Sequence, residues 1–202
     1  CDPTELSPFV HVDQFGYYTD GSKVAVLSNP QVGFNSADSY TPSATIELRN
    51  AADHSVVYYA APTAWNGGAT HAQSGDQGWW FDFSLVQTEG EYYVIDAAQG
   101  HRSGNFMISC NPYDEVLTAA TRMFYYNRAN IEKNATYAGA KWADGNSFMG
   151  STQDGSARSI SDPDNTDLER DLSGGWFDAG DYNKYVTFAF RPVDQLLSAY
   201  TD

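Results

Sequence analysis

The sequence predicts a β-sandwich followed by an all-α segment, and three observations carry that reading. Short runs rich in Val, Ile and aromatics crowd the first half of the 202 residues, each bounded by turn residues. After Cys110 the apolar pattern switches from alternation to helical spacing. A long stretch of Gly, Ser, Asp and Asn follows, and a second helical pattern comes after it.

The predicted strands are KVAVLS (23–28), ATIELRN (44–50), SVVYYA (55–60), GWWFDFS (78–84), GEYYVIDA (90–97) and NFMISC (105–110). In ATIELRN, Ile46 and Leu48 alternate with Thr45 and Glu47, the period of a half-buried strand. Such strands in series imply an antiparallel sandwich of roughly 100 residues, the immunoglobulin-like size, without the Cys…Trp…Cys pattern of antibody domains. We place it over residues 1–110 and the helical part over 111–202. Asn111 is a capping residue, Pro112 suits a first helical position, and Asp114 and Glu115 favour the positive end of a helix. Leu117, Ala120, Phe124 and Arg128 continue at helical spacing, predicting a helix from about Pro112 to Asn130. Residues 134–181 hold no period. Val186, Ala189, Val193, Leu196, Leu197 and Tyr200 mark a second helix, which Pro192 starts or kinks. Two helices alone bury too little apolar surface for a stable second domain.

Composition sets limits on function. Hydrophobic residues make up 42% and aromatics 15%, enough for a packed core and unlike a disordered chain. Asp plus Glu number 26 against 11 Lys plus Arg, a formal charge of −15. Such a field repels nucleic acids and anionic membranes, and neither is an expected partner. No apolar run is long enough to span a bilayer. Two cysteines make no disulfide framework and no zinc spacing; Cys110 is expected to be a buried thiol. Cys1 is either a lipid-bearing residue left by lipoprotein signal cleavage or simply the first residue, so the expected location is secreted or cell-envelope.

The stretch DLSGGWFDAGDYNKYV (171–186) sets two carboxylates, Asp178 and Asp181, among glycines and aromatics. At a loop-to-helix turn, positions i and i+3 lie side by side. Two carboxylates there orient one water, and one acts as general base. Gly174, Gly175 and Gly180 permit torsions that other residues resist. Trp176, Phe177, Tyr182 and Tyr185 offer flat faces of the kind that stack on sugar rings. Lys184 is a nearby cation expected to keep an acid ionised.

The whole string resembles the signature of glycoside hydrolase family 9, the cellulase family with an (α/α)6 barrel. It matches from Asp171 to Tyr185. FVHVDQFGY (9–17) looks like the opening strand of the immunoglobulin-like domain that often precedes this barrel. WFDFSLVQTEGEYYV (80–94) and YDEVLTAATRMFYYNR (113–128) fit the family's order. The resemblance implies that Asp181 is the catalytic base, that Asp178 helps hold the nucleophilic water, and that the reaction inverts. It points to Trp176, Tyr182 and Tyr185 as substrate-binding residues. The expected fold is an immunoglobulin-like sandwich plus the N-terminal part of the barrel. The family's general acid is a Glu near the end of the barrel, and no segment here matches it. The expected partners are therefore a β-glycan and the missing C-terminal barrel segment, and the chain alone is expected to be inactive or nearly so. Cellulose-like β-1,4-glucans are the default substrate, and chitosan oligomers cleaved by an exo-glucosaminidase are the alternative. A non-catalytic immunoglobulin-like binding or support module is the reading of another class.

Many relatives have a Cys-His pair, linked in some to zinc, in the region of residues 141–155; it is absent here, so no zinc is expected. Asp162, Asp164 and Asp167 hint at calcium, but their spacing lacks the Gly and terminal Glu of an EF-hand loop, and a solvated acidic loop is the better reading. No cofactor is expected. The four histidines are scattered and read as surface or hydrogen-bonded residues. Trp65, Trp79 and Trp80 read as core residues ahead of a sugar platform.

Overall fold

A computed structural model describes residues 6–201; Cys1 lies outside the described residues, and so does the expectation of a lipid anchor. Contacts divide the chain into two units, Cys1–Asp114 and Glu115–Asp202.

Among the described residues the first unit holds ten strands: β1 (Val10–His11), β2 (Tyr17–Tyr18), β3 (Val24–Pro30), β4 (Ile46–Asn50), β5 (Val56–Ala60), β6 (Thr63–Ala64), β7 (Asp76–Asp82), β8 (Gly90–Asp96), β9 (His101–Arg102) and β10 (Phe106–Ser109). One sheet runs β1-β3-β7-β6, and the other runs β2-β10-β8-β4-β5 with β9 beside β8. Alternation decides which residues face inward. Ala25 and Leu27 of β3, Phe81 of β7, Ile46 and Leu48 of β4, Val94 of β8 and Ile108 of β10 all point into one core. Phe83 sits at its centre, with its ring 5.2 Å from Tyr17 and 5.6 Å from Phe106.

Two buried polar groups survive because each is fully partnered. Asp96 accepts hydrogen bonds from the Tyr40 hydroxyl (3.0 Å) and the Ser43 amide (2.8 Å). Burial, reinforced by that carboxylate, pushes the Tyr40 phenol far above its ordinary pKa. Lys23 is buried and donates to the carbonyls of Tyr18 (3.1 Å), Thr19 (2.8 Å) and Gly21 (2.8 Å). Burial pulls its ammonium below the usual lysine range.

The structure corrects four sequence expectations here. FVHVDQFGY is two short strands in different sheets. Asp13 accepts from the Phe15 and Gly16 amides and turns the chain. Gly16 then takes a φ of +108°, where a Cβ would lie 2.5 Å from the Met107 carbonyl oxygen. The sandwich is not wholly antiparallel either, because β2 pairs with β10 in parallel. They are far apart in sequence, so no hairpin dictates their direction. Cys110 is exposed, one residue past the end of β10, where the neighbouring Glu89 carboxylate raises its thiol pKa. The three tryptophans also diverge: Trp79 packs on the core, while Trp80 on the opposite face is 50% exposed and Trp65 is half-buried.

The second unit is built differently. The predicted helix is α1 (Asp114–Tyr126), shorter at both ends than Pro112–Asn130. At its start the Asn111 side-chain amide donates to Asp114 (2.8 Å). At its end the Ala129 amide leaves the helical pattern for the Gly175 carbonyl (2.9 Å), and Asn130 turns left-handed at φ +57°. The stretch 134–181 contains α2 (Ala135–Ala138), capped by the Asn134 side chain, and three single 3-10 turns. The last helix is α3 (Val186–Thr201), with Pro192 inside it. No helix among the described residues is long and apolar enough to cross a membrane.

Candidate active site

The loop from Leu172 to Tyr185 is a stem and a tip. The stem lies along the chain that leaves α1. The Ala129 amide donates to the Gly175 carbonyl (2.9 Å), and the Phe177 amide to the Asn127 carbonyl (2.9 Å). The Trp176 indole N–H donates to the Phe124 carbonyl (2.9 Å), and the Arg128 guanidinium lies 4.8 Å from the Trp176 ring centre. Gly174 and Gly175 both take positive φ, +84° and +74°, which a residue with a Cβ resists.

The tip carries the carboxylates. It is closed by the Asp178 amide donating to the Asn183 carbonyl (3.0 Å). The Asn183 side-chain amide reaches back to the Asp181 carboxylate (2.6 Å). Asp178 is exposed and Asp181 half-buried. The expected loop-to-helix turn is not what positions them, since α3 begins only at Val186. A self-bonded loop does so instead, and its two acids keep lone pairs that face water.

The aromatic residues divide. Tyr182 is 70% exposed beside Asp181, and its ring lies 5.0 Å from Phe148 and 5.4 Å from Phe177. These three rings, with Trp142, Lys133 and Ala179, border an open cavity of about 420 Å³. Phe148 has φ +56°, an unusual conformation for a bulky residue. Trp176 and Tyr185 border a second cavity of about 290 Å³ with Leu172, Gly174 and Lys184. Trp176 is half-buried with its N–H already engaged, while Tyr185 stacks edgewise on Phe188.

Lys184 is a cation beside an acid, as expected, but that acid is Asp154 rather than Asp178 or Asp181. Its ammonium pairs with Asp154 (2.5 Å) and donates to the carbonyls of Leu172 (2.5 Å) and Gly174 (3.3 Å) and to Asn130 Oδ1 (3.2 Å). Sequence reasoning missed Asn130 and Asp154 altogether. An Asn just past a helix end was the available signal for the first; nothing in the sequence singled out the second. Glu169 pairs with Arg158 (3.1 Å). Lys133 is buried, donates to the Arg128 and Ile131 carbonyls, and is pulled below the usual lysine range by burial.

In the acidic loop, Asp162 accepts from the Asn165 side chain (3.0 Å). Among the described residues no group of three or more His, Cys, Asp or Glu is placed to hold a metal ion.

Comparison with known proteins adds to this geometry. Residues 5–101 match the profile described as cellulase N-terminal ig-like domain, and residues 113–202 match glycosyl hydrolase family 9. The second half of the chain is thus similar to the start of glycosyl hydrolase family 9. Endoglucanase C of Cellulomonas fimi is 32% identical over 97% of this chain and 17% of its own length. A cellodextrinase of Butyrivibrio fibrisolvens is 29% identical over 93% of this chain and 29% of its own. The crystal structure of a metagenome-derived family 9 endoglucanase superposes with a TM-score of 0.72 at 28% identity, covering 95% of this chain and 33% of that one. The chain thus spans less than a third of the length of either of these two relatives. The sheet-rich first part agrees with the ig-like domain, and the second with the start of the family 9 domain.

Proposed function

We propose that the protein hydrolyses β-1,4-glucosidic bonds in cellulose-like glucans with inversion at the anomeric carbon. The observation that carries this is the carboxylate tip: Asp178 and Asp181 share one self-closed loop, open to water, on a stem bonded to residues 127–130. The match of residues 113–202 to the family 9 profile supports the reaction class.

In this reading Asp181 removes a proton from water while Asp178 accepts its second hydrogen and aims it. A carboxylic acid on the far side of the sugar, roughly 6.5–9.5 Å away, protonates the leaving oxygen. No residue of this chain is assigned that role; Glu169 pairs with Arg158 (3.1 Å). Tyr182 meets a sugar face, and Trp176 and Tyr185 border the neighbouring hollow. Residues 111–202 are then an N-terminal segment of an (α/α)6 barrel, and the exposed apolar faces of α1 and α3 are where further barrel helices pack.

Release of reducing ends from a soluble β-glucan by the intact enzyme tests this, with Asp181→Asn beside it. The variant is expected to lose about 10²–10⁴-fold in rate. Undiminished hydrolysis would remove Asp181 from the mechanism. The anomer formed first, read by NMR, tests inversion.

A further inference from the structure

We propose that Lys184 is the positioning residue of the carboxylate loop: clamped by Asn130 and Asp154, its ammonium ties both ends of the loop together and so fixes where Asp178 and Asp181 stand. The proposal rests on the reading of those two acids as the water-activating pair.

The geometry is that of a drawstring. Lys184 follows the tip, while Leu172 and Gly174 precede it, and both their carbonyls accept from the Lys184 ammonium. The two ends of the loop are thereby joined through one charged atom. That atom is itself anchored from outside the loop, by Asp154 (2.5 Å) and by Asn130 Oδ1 (3.2 Å). Charge-assisted hydrogen bonds of this kind are stronger than neutral ones.

Asn130 is built for the task. It is 7% exposed and left-handed, a conformation Asn tolerates better than most residues. Its Oδ1 also accepts from the Gly174 amide (3.1 Å), and its Nδ2 donates to the Ser147 carbonyl (2.9 Å). Asp154 adds a backbone link at each side: its amide donates to the Phe148 carbonyl (3.1 Å), and its carbonyl accepts from the Leu172 amide (2.7 Å). The strained Phe148, whose ring touches Tyr182, is therefore bonded into the same clamp. Lysine suits this nest better than arginine, because a compact ammonium aims three donors in different directions while a guanidinium is a flat fork.

The clamp lies at the base of the loop, and the acids lie at its tip. Lys184 donates to neither acid in the structure, so it acts on the reaction through position. Misplacing a reacting group by about 1 Å costs on the order of 100-fold in rate.

The test is made on the intact enzyme with Lys184→Met, Lys184→Arg and Asp154→Asn, reading amide hydrogen exchange and glucan kinetics together. For Lys184→Met we expect exchange across residues 172–185 to rise about tenfold or more while the sandwich strands stay protected. We expect kcat to fall about 100-fold with KM changed by less than about threefold. Lys184→Arg should recover part of both losses. Unchanged exchange, or faster exchange with an unchanged kcat, would overturn the proposal. Should Lys184→Met fail to fold, Asp154→Asn decides, with exchange expected to rise about threefold in the same segment and unchanged exchange overturning the idea. Exchange reports the clamp without reference to chemistry. Full activity in Asp181→Asn would instead sink the underlying assignment of the acids.

Discussion

In the sandwich, Leu27, Ile46, Leu48, Phe81, Phe83 and Ile108 are all fully buried. In α1 and α3 no residue is, and Phe188, Phe190, Leu197 and Tyr200 of α3 stand largely in solvent. Both regions are apolar in sequence, so the difference is one of partners. Strands find theirs within the first unit, by alternation across two sheets. The helices present stripes that nothing among the described residues covers. What orders the second unit is instead a set of directional bonds around Asn130, Lys133 and Lys184. A region held by directional bonds keeps a loop in place without burying it, which suits a site that must admit a ligand.

Breaking the apolar side of this contrast should give the largest effect. Phe83→Ala should cost about 3–5 kcal/mol of sandwich stability, measured by urea unfolding of the chain. A loss under about 1 kcal/mol would mean that the core is loosely packed. Next is the buried polar network. Asp96→Ala leaves the Tyr40 hydroxyl and Ser43 amide unpartnered and should cost about 2 kcal/mol. The Tyr40 phenol should move back toward its ordinary range in an ultraviolet titration, because the carboxylate that reinforces burial is gone. The helical side should respond far less. In the 202-residue chain, Phe190→Ser on α3, where the residue is 63% exposed, should change stability by less than about 0.5 kcal/mol. A loss of about 2 kcal/mol would show that these 202 residues already cover this face in solution. The smallest effect is on pH. Hydrogen bonds from Ser84 and Ser173 hold the Asp82 and Asp171 carboxyls below the ordinary Asp value. Their contribution is therefore present above the unfolded pKa of about 3.9 and lost as pH falls through the folded values. NMR titration of Ser84→Ala and Ser173→Ala should show each carboxyl rising toward that ordinary value, and unmoved titrations would contradict the cause.

How legible each region was follows from the same contrast. Ile46 and Leu48 announced a strand because alternation is local and repeats. The break at Gly16 was legible in principle, since Asp-Gln-Phe-Gly is turn chemistry, yet the apolar residues around it masked the turn. The site string stood out through its family signature, and its two acids lie together on the loop. Its supports did not stand out. Asn130 meets Gly174, and Phe124 meets Trp176, across long sequence separations with no period to reveal them. Trp80 illustrates a third case: apolar identity says nothing about which face of a sheet a residue takes until the register is known.

Lys23, Lys133 and Lys184 share one habit: each aims its ammonium at backbone carbonyls. All three count toward the formal charge of −15, but they are largely withdrawn from the surface. The protein therefore shows its solvent a more anionic coat than its sequence total suggests, and mobile sodium or potassium ions gather over it. Salt flattens that outer atmosphere within about 10 Å at 0.1 M, but it reaches internal cations far less. A brine that erases the long-range field of this protein should leave its three inner pins in place.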